Sequence, residues 1–178
     1  MGVNRNQWPM YQSAMSGGGL GFRGLERESP SPHSRPGRQD VAVTRLLITR
    51  GLPGSGKTTF ARRLQPWVVR VNRDDLRRML HGRRLYTPWA EGLVSTVQRN
   101  AVEKLIEARA DVMVDDTNLA PARIREWSAL AFRLGARFEV HDFTGVPVDE
   151  CVRRDSARPD DERVGEPGIR NLHRKYLE

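Results

Sequence analysis

The segment Gly51-Leu52-Pro53-Gly54-Ser55-Gly56-Lys57-Thr58-Thr59 matches the pattern G-x-x-x-x-G-K-[ST] without a break and follows the apolar run Leu46-Leu47-Ile48. No other feature constrains the fold as tightly, because this pattern works only between a strand and a helix. The glycines let the backbone bend until successive N–H groups converge on phosphate oxygens. Lys57 brings a point charge to the outer phosphates, and the Thr58 hydroxyl is a ligand suited to Mg²⁺. A helix beginning at Lys57 aims the positive end of its dipole at the same anion. The segment therefore implies a nucleoside triphosphate cradled by Gly51, Pro53, Gly54, Ser55, Gly56, Lys57, Thr58 and Thr59.

From about Val43 onward, strands alternate with helices. Residues 43–50 read as a strand, 57–65 as a helix, 67–71 as a second strand and 73–80 as a short helix. Leu93, Val97, Ala101 and Leu105 recur at steps of four, widened by Val94 and Ile106, which predicts an amphipathic helix over 89–109. Val112-Met113-Val114 reads as a buried strand. Pro121 opens a helix with Ile124, Trp127, Ala131 and Leu134 on one face and Gly135 as its C-terminal cap. Residues 136–143 form the next strand, followed by a helix from Pro147 to about Asp155, a polar stretch over 156–168, and a last helix turning Ile169, Leu172 and Tyr176 inward. Strands joined through helices pair in parallel with right-handed crossovers, so the expected fold is α/β, a doubly wound parallel sheet. Ligands in such sheets bind at the carboxyl ends of the strands, where residues 51–58, 72–75 and 115–118 fall.

A length of 178 residues suits one folded domain, assigned to 41–178. Residues 1–40 contain Gly17-Gly18-Gly19, Ser29-Pro30-Ser31-Pro32 and Arg35-Pro36-Gly37-Arg38, without an apolar period that would bury a face, and read as a disordered arm with no essential function. The mean hydropathy is −0.62, and there is neither an 18-residue apolar run nor the apolar core of a secretory signal. The expectation is a cytoplasmic protein with no membrane association. Lone Cys151 excludes an intrachain disulfide, and four scattered histidines add no Cys/His metal cage. A net charge of +8 fits an anionic partner such as nucleic acid. All but Lys57, Lys104 and Lys175 of the 30 basic residues are arginines, a bias that a GC-rich genome produces as readily as selection does, so charge supports that partner without deciding it.

Three groups at the strand ends carry chemistry. Asp74 and Asp75 follow the second strand, where they either cap a helix or offer a carboxylate to an attacking hydroxyl. An ordinary carboxylate is a weak base at neutral pH, so such a group mainly aligns the hydroxyl, with proton transfer late along a loose transition state. Asp115 and Asp116 end the strand after Val114, where either one holds Mg²⁺ or its water shell, or caps the turn through Thr117-Asn118. Arg153, Arg154 and Arg158 form either a solvated face or a clamp. Arg154 and Arg158 are four apart, so a continuing helix projects both to one side, where their guanidinium forks can close over the triphosphate.

Taken together, these residues resemble the phage-type polynucleotide 5′-kinase domain, the kinase half of the phage end-healing enzyme. The likeness covers about residues 45–178 and consists of the segment 51–59, then Val71-Asn72-Arg73-Asp74-Asp75-Leu76-Arg77, Asp116-Thr117-Asn118-Leu119, Arg154-Asp155-Ser156-Ala157-Arg158 and a final stretch from Ile169 to Tyr176. The first element is shared by many nucleotide-binding proteins, and the later ones are far more specific. The resemblance implies a P-loop NTPase or kinase fold with a C-terminal helical lid, ATP and Mg²⁺ on Lys57 and Thr58, and Asp74 as base for a 5′-hydroxyl end of DNA or RNA. It further implies Arg77 on the phosphate 3′ to the accepting nucleoside, Asp116 as an active-site carboxylate contacting metal or acceptor, and Arg158, with Arg154 behind it, as the lid's phosphate clamp. Lys57, Asp74 and Arg158 are then the catalytic set. This chain departs from the pattern in its acidic, proline-containing segment 158–168 and in lacking a D-x-D-G-T phosphatase signature, so 5′-kinase activity without 3′ end trimming is expected. No protein partner is evident in the sequence. Two other readings remain: a small-molecule kinase of the same superfamily, which would not need Arg77 as a phosphate anchor, and a non-enzymatic nucleotide-binding module.

Overall fold

The computed structural model describes residues 43–178, so the arm assigned to 1–40 lies outside the described residues. Four strands, β1 (Arg45–Arg50), β2 (Val69–Val71), β3 (Val112–Val114) and β4 (Arg137–Asp142), form one parallel sheet in the order β2-β3-β1-β4. Among the described residues six helices accompany them: α1 (Lys57–Leu64), α2 (Arg73–His81), α3 (Pro88–Glu107), α4 (Pro121–Arg133), α5 (Val148–Ser156) and α6 (Glu166–Tyr176), with a short 3₁₀ turn at Asp160–Glu162.

The strand order dictates where the helices go. From β1 the chain crosses β3 to reach β2, whereas from β2 to β3 and from β3 to β4 it moves the other way. Right-handed crossovers then put α1 on one face and α3 and α4 on the other. The packing agrees: Leu47 and Met113 meet Ala61 and Val68 on the α1 face, while Leu46, Ile48, Val112 and Val114 meet Val102, Ile106, Trp127, Leu130 and Ala131 on the opposite face. This is the doubly wound α/β sheet that the sequence pattern implies. A third cluster, Leu52, Leu119, Cys151 and Ile169, fastens the lid helices α5 and α6 to the phosphate-loop side of the sheet. Ile169 is buried, with Leu172 and Tyr176 partly so, as the sequence pattern implies.

Two expectations need correction. The buried stripe of α3 is Ala90, Val94, Gln98, Val102 and Ile106, and Leu93 is 39% exposed. The stripe turns one residue away from the expected one because Gln98, a polar residue, faces inward to donate to Asp116. The second strand begins at Val69 rather than 67, and Trp67 sits in the preceding turn with most of its surface exposed. Gly135 follows α4 with a φ of 65°, matching its expected place as a cap.

Candidate active site

The carboxyl ends of β1, β3 and β2 lie side by side, and a set of hydrogen bonds ties the segments leaving them. The Gly51 N–H donates to the Thr117 carbonyl at 2.9 Å, the Thr49 hydroxyl to the Asp116 carbonyl at 2.9 Å, and the Asn118 amide to the Thr49 carbonyl at 2.9 Å. Asn72 caps α2 by accepting from the Asp75 N–H at 3.1 Å, and its amide group donates to the Asp115 carbonyl. The phosphate loop, the start of α2 and the 115–118 segment thus converge on one cleft of about 460 Å³.

Of the residues singled out in the sequence, Pro53, Gly54, Gly56, Lys57, Thr58, Asp74, Arg77, Asp116 and Arg158 all line this cleft. Gly51 and Ser55 are buried beneath the loop, and Thr59 is exposed on α1 outside the cleft lining. Arg154 is also outside it: its Nε donates to Glu150 at 2.6 Å, although its guanidinium lies close behind Gly56. Gly54 has a φ of 83°, and a Cβ there would lie 2.3 Å from the Cys151 carbonyl oxygen, so the loop can touch α5 only through a glycine.

Lys57 is 7% exposed, and its Nζ donates to the Leu52 carbonyl at 2.6 Å and to the Ser55 hydroxyl at 3.3 Å. Burial lowers its pKa to about 8 and Arg158 adds to the shift, while Asp115 and Asp116 oppose it. Asp74 and Asp75 separate clearly. Asp74 lines the cleft and accepts from Arg77 at 2.6 Å and Arg84 at 3.1 Å, whereas Asp75 pairs with Arg70 away from it. Arg77 is fixed by more than Asp74: Glu91 accepts from its Nε at 2.6 Å and its Nη2 at 2.8 Å, and also from Arg73 at 2.6 Å. These hydrogen bonds, Arg77 first, hold the Glu91 carboxyl down to about 2.

Asp115 and Asp116 are also unlike each other. Asp115 Oδ2 accepts from Arg70 Nε at 2.7 Å, while Oδ1 is buried with no partner among the described residues. Asp116 uses both oxygens, accepting from the Arg73 N–H at 3.1 Å and from Gln98 at 2.6 Å. Burial raises the Asp116 pKa against the pull of those two bonds. On the lid side, buried Asp155 accepts from the N–H groups of Val164 at 3.0 Å and Gly165 at 2.9 Å and pairs with Arg158 at 3.4 Å, closing the 157–165 loop. Sequence reasoning gave no role to Arg84, Glu91, Gln98 or Asp155. Only Asp155 carried a usable signal, its place between Arg154 and Arg158.

A phosphate loop at the end of a central parallel strand, facing a helical lid and a carboxylate at the neighbouring strand end, defines a P-loop domain of the kinase type. A family model described as an AAA domain matches residues 46–176, and the chain belongs to that family. The chain is similar to proteins described as polynucleotide kinases or as parts of an RNA repair complex. It is 26% identical over 148 residues to a protein of Autographa californica nuclear polyhedrosis virus described as a bifunctional polynucleotide kinase/RNA ligase, over 74% of this chain and 21% of that one. Among solved structures, it superposes on a chain of the Pnkp1/Rnl/Hen1 RNA repair complex with a TM-score of 0.67 and 31% identity, covering 76% of this chain and 44% of the other. Kti12 of Chaetomium thermophilum, solved in complex with ADP-AlF3, matches with a TM-score of 0.56 at 21% identity over 75% of this chain and 80% of its own, a likeness of fold alone. The chain spans about a fifth of the viral relative and under half of the matched repair-complex chain. Among the described residues, no helix is long and apolar enough to cross a membrane.

Proposed function

We propose that this domain transfers the γ-phosphoryl group of ATP to the 5′-hydroxyl end of a polynucleotide. The observation that carries this reading is the Asp74–Arg77 pair, a carboxylate and a guanidinium 2.6 Å apart on the wall that faces the phosphate loop. Arg77 has N–H groups on Nη1 and Nη2 left over after its bonds to Asp74 and Glu91, enough to grip an acceptor phosphate beside the hydroxyl that Asp74 orients. A neutral small acceptor has no use for such an anchor. Similarity to a polynucleotide kinase/RNA ligase and to a chain of an RNA repair complex supports the same substrate class.

In this reading the acceptor's 5′ oxygen attacks the γ-phosphorus, the bond from that phosphorus to the β–γ bridging oxygen breaks, and ADP departs. The hydroxyl proton passes to Asp74. Lys57 and Arg158 line the same cleft and, in this reading, stabilise charge spreading over the transferring group. The residues present fit Mg²⁺: the Asp115 Oδ1 atom is buried without a partner among the described residues, and Thr58 lines the same cleft. Those two would hold the ion or its waters, and when bound it neutralises charge on the β- and γ-phosphate oxygens.

The test is γ-labelled ATP offered with 5′-hydroxyl DNA and RNA oligonucleotides and with a panel of small alcohols. Label on the oligonucleotides supports the reading. Label only on a small alcohol replaces it with a small-molecule kinase, and no transfer to any acceptor leaves a nucleotide-binding module.

A further inference from the structure

A second cleft, of about 440 Å³, is lined by Arg78, Arg83, Arg84, Tyr86, Asp161 and Arg163. It adjoins the first at Arg84, which lines both. On one side Arg84 Nη2 donates to Asp74 at 3.1 Å, on the other Nη1 donates to the Asp161 carbonyl at 2.9 Å, and Nε is buried with no partner among the described residues. Tyr86 lines the second cleft and touches two arginines of the first. Its ring carries the Arg77 guanidinium at 4.7 Å and that of Arg84 at 5.8 Å, yet the residue is 57% exposed. Arg83 is exposed and has no ion pair among the described residues.

The cleft is not free of acids. Arg78 pairs with Glu162 at 3.1 Å and Asp161 at 3.5 Å, and Arg163 pairs with Asp160 at 2.6 Å. These carboxylates sit on an exposed 3₁₀ turn, and exposed pairs of this kind hold weakly. A phosphate that accepts from the same guanidiniums can therefore take their place. Arginines interleaved with an exposed aromatic ring are the arrangement that tracks single-stranded nucleic acid, because phosphates meet the charges and an unstacked base meets the ring. We infer that the second cleft holds the acceptor strand beyond its first internucleotide phosphate, with Arg83, Arg84 and Arg163 on the following phosphates and Tyr86 stacking a base. This inference rests on the polynucleotide reading of the first cleft.

The experiment compares kcat/KM for a single-stranded 5′-hydroxyl octamer with that for a nucleoside 3′-monophosphate, in the wild type, Arg83→Ala, Tyr86→Ala and the remote Arg133→Ala, with melting temperatures to confirm folding. The expected result is a wild-type preference for the octamer that falls about tenfold in Arg83→Ala and in Tyr86→Ala. Arg133→Ala keeps the preference. The slope of log affinity for the octamer against log salt becomes shallower by about 0.7 in Arg83→Ala. Equal use of both acceptors by the wild type, or an undiminished preference in both cleft variants, overturns the second cleft while leaving the polynucleotide reading intact. Transfer to a small alcohol but to neither nucleotide acceptor overturns that reading and takes the second cleft with it.

Discussion

Lys57 sits where its own charge is disfavoured. Its amine is almost fully buried against the Leu52 carbonyl, and burial, with Arg158 adding to it, brings its pKa down to about 8. The folded pKa lies below the unfolded one, so between about 8 and about 10.4 the unfolded chain binds more protons and stability rises with pH. Below that window the lysine costs the folded protein up to about 3 kcal/mol. A triphosphate reverses the balance by surrounding the amine with negative oxygens that hold it protonated. Binding ATP near pH 8 should then take up about half a proton per site, falling to about 0.1 near pH 7 and reaching about 0.9 near pH 9. The nucleotide's own last phosphate ionisation, near pH 6, is effectively complete from about pH 8 upward, whereas near pH 7 the release of its residual proton, about 0.1 per site, offsets the small uptake, so the reading is taken between about pH 8 and 9. Calorimetric titration in two buffers of different ionisation enthalpy reads the uptake directly. Lys57→Met should abolish it, raise the melting temperature at neutral pH, and lower phosphoryl transfer by about 10² or more. Tight ATP binding by the wild type with no proton uptake between pH 8 and 9 would refute the reasoning.

Asp74→Asn should lower transfer by about 10² to 10⁴ with ATP affinity little changed; unchanged transfer, with Asp75→Asn inactive instead, would move the base by one residue. Arg77→Ala should cost about 10- to 150-fold in kcat/KM with a nucleoside 3′-monophosphate and almost nothing with a bare nucleoside, already a poor acceptor for the wild type. The double cycle cancels damage to folding and ATP binding, so equal losses on both acceptors would remove Arg77 from the phosphate. Gly54→Ala places a methyl group 2.3 Å from the Cys151 carbonyl oxygen at a φ of 83°, so it should lower stability by about 1 to 3 kcal/mol and weaken ATP binding, a loss that thermal melts with and without nucleotide will register. A melt identical to the wild type's would show that α5 yields freely to the loop.

The sequence made the centre of the molecule legible because one short motif specifies three things together: a strand before it, a helix after it, and an anion between them. The doubly wound sheet followed from alternation alone, and Asp74, Arg77 and Arg158 fell into the cleft because they belong to strand ends or to the lid that faces them. Periodicity failed on α3 for a physical reason. Hydropathy ranks Leu93 above Gln98 as a core residue, yet Gln98 is buried, since the Asp116 carboxylate beneath it requires a donor. Arg84 and Glu91 escaped notice for a related reason: each acts through a partner 10 or 14 residues away, across a loop whose path no local pattern specifies.

The adjacent carboxylates at the end of β3 divide two jobs that sequence alone could not apportion. Both Asp116 oxygens are engaged: one accepts from the Arg73 N–H at the start of α2 and the other from Gln98 of α3. Its bonds hold the first turn of α2, which carries Asp74, so a hydrated cation at Asp116 would compete with hydrogen bonds that anchor that turn. Asp115 is the reverse case. Arg70 anchors one oxygen and leaves the other buried and unmatched, and an unmatched buried acceptor is costly unless something with a positive charge or a proton comes to meet it. In the proposed reading, Asp115 is therefore the carboxylate that orders a cation beside Thr58, and Asp116 the one that anchors the turn carrying Asp74.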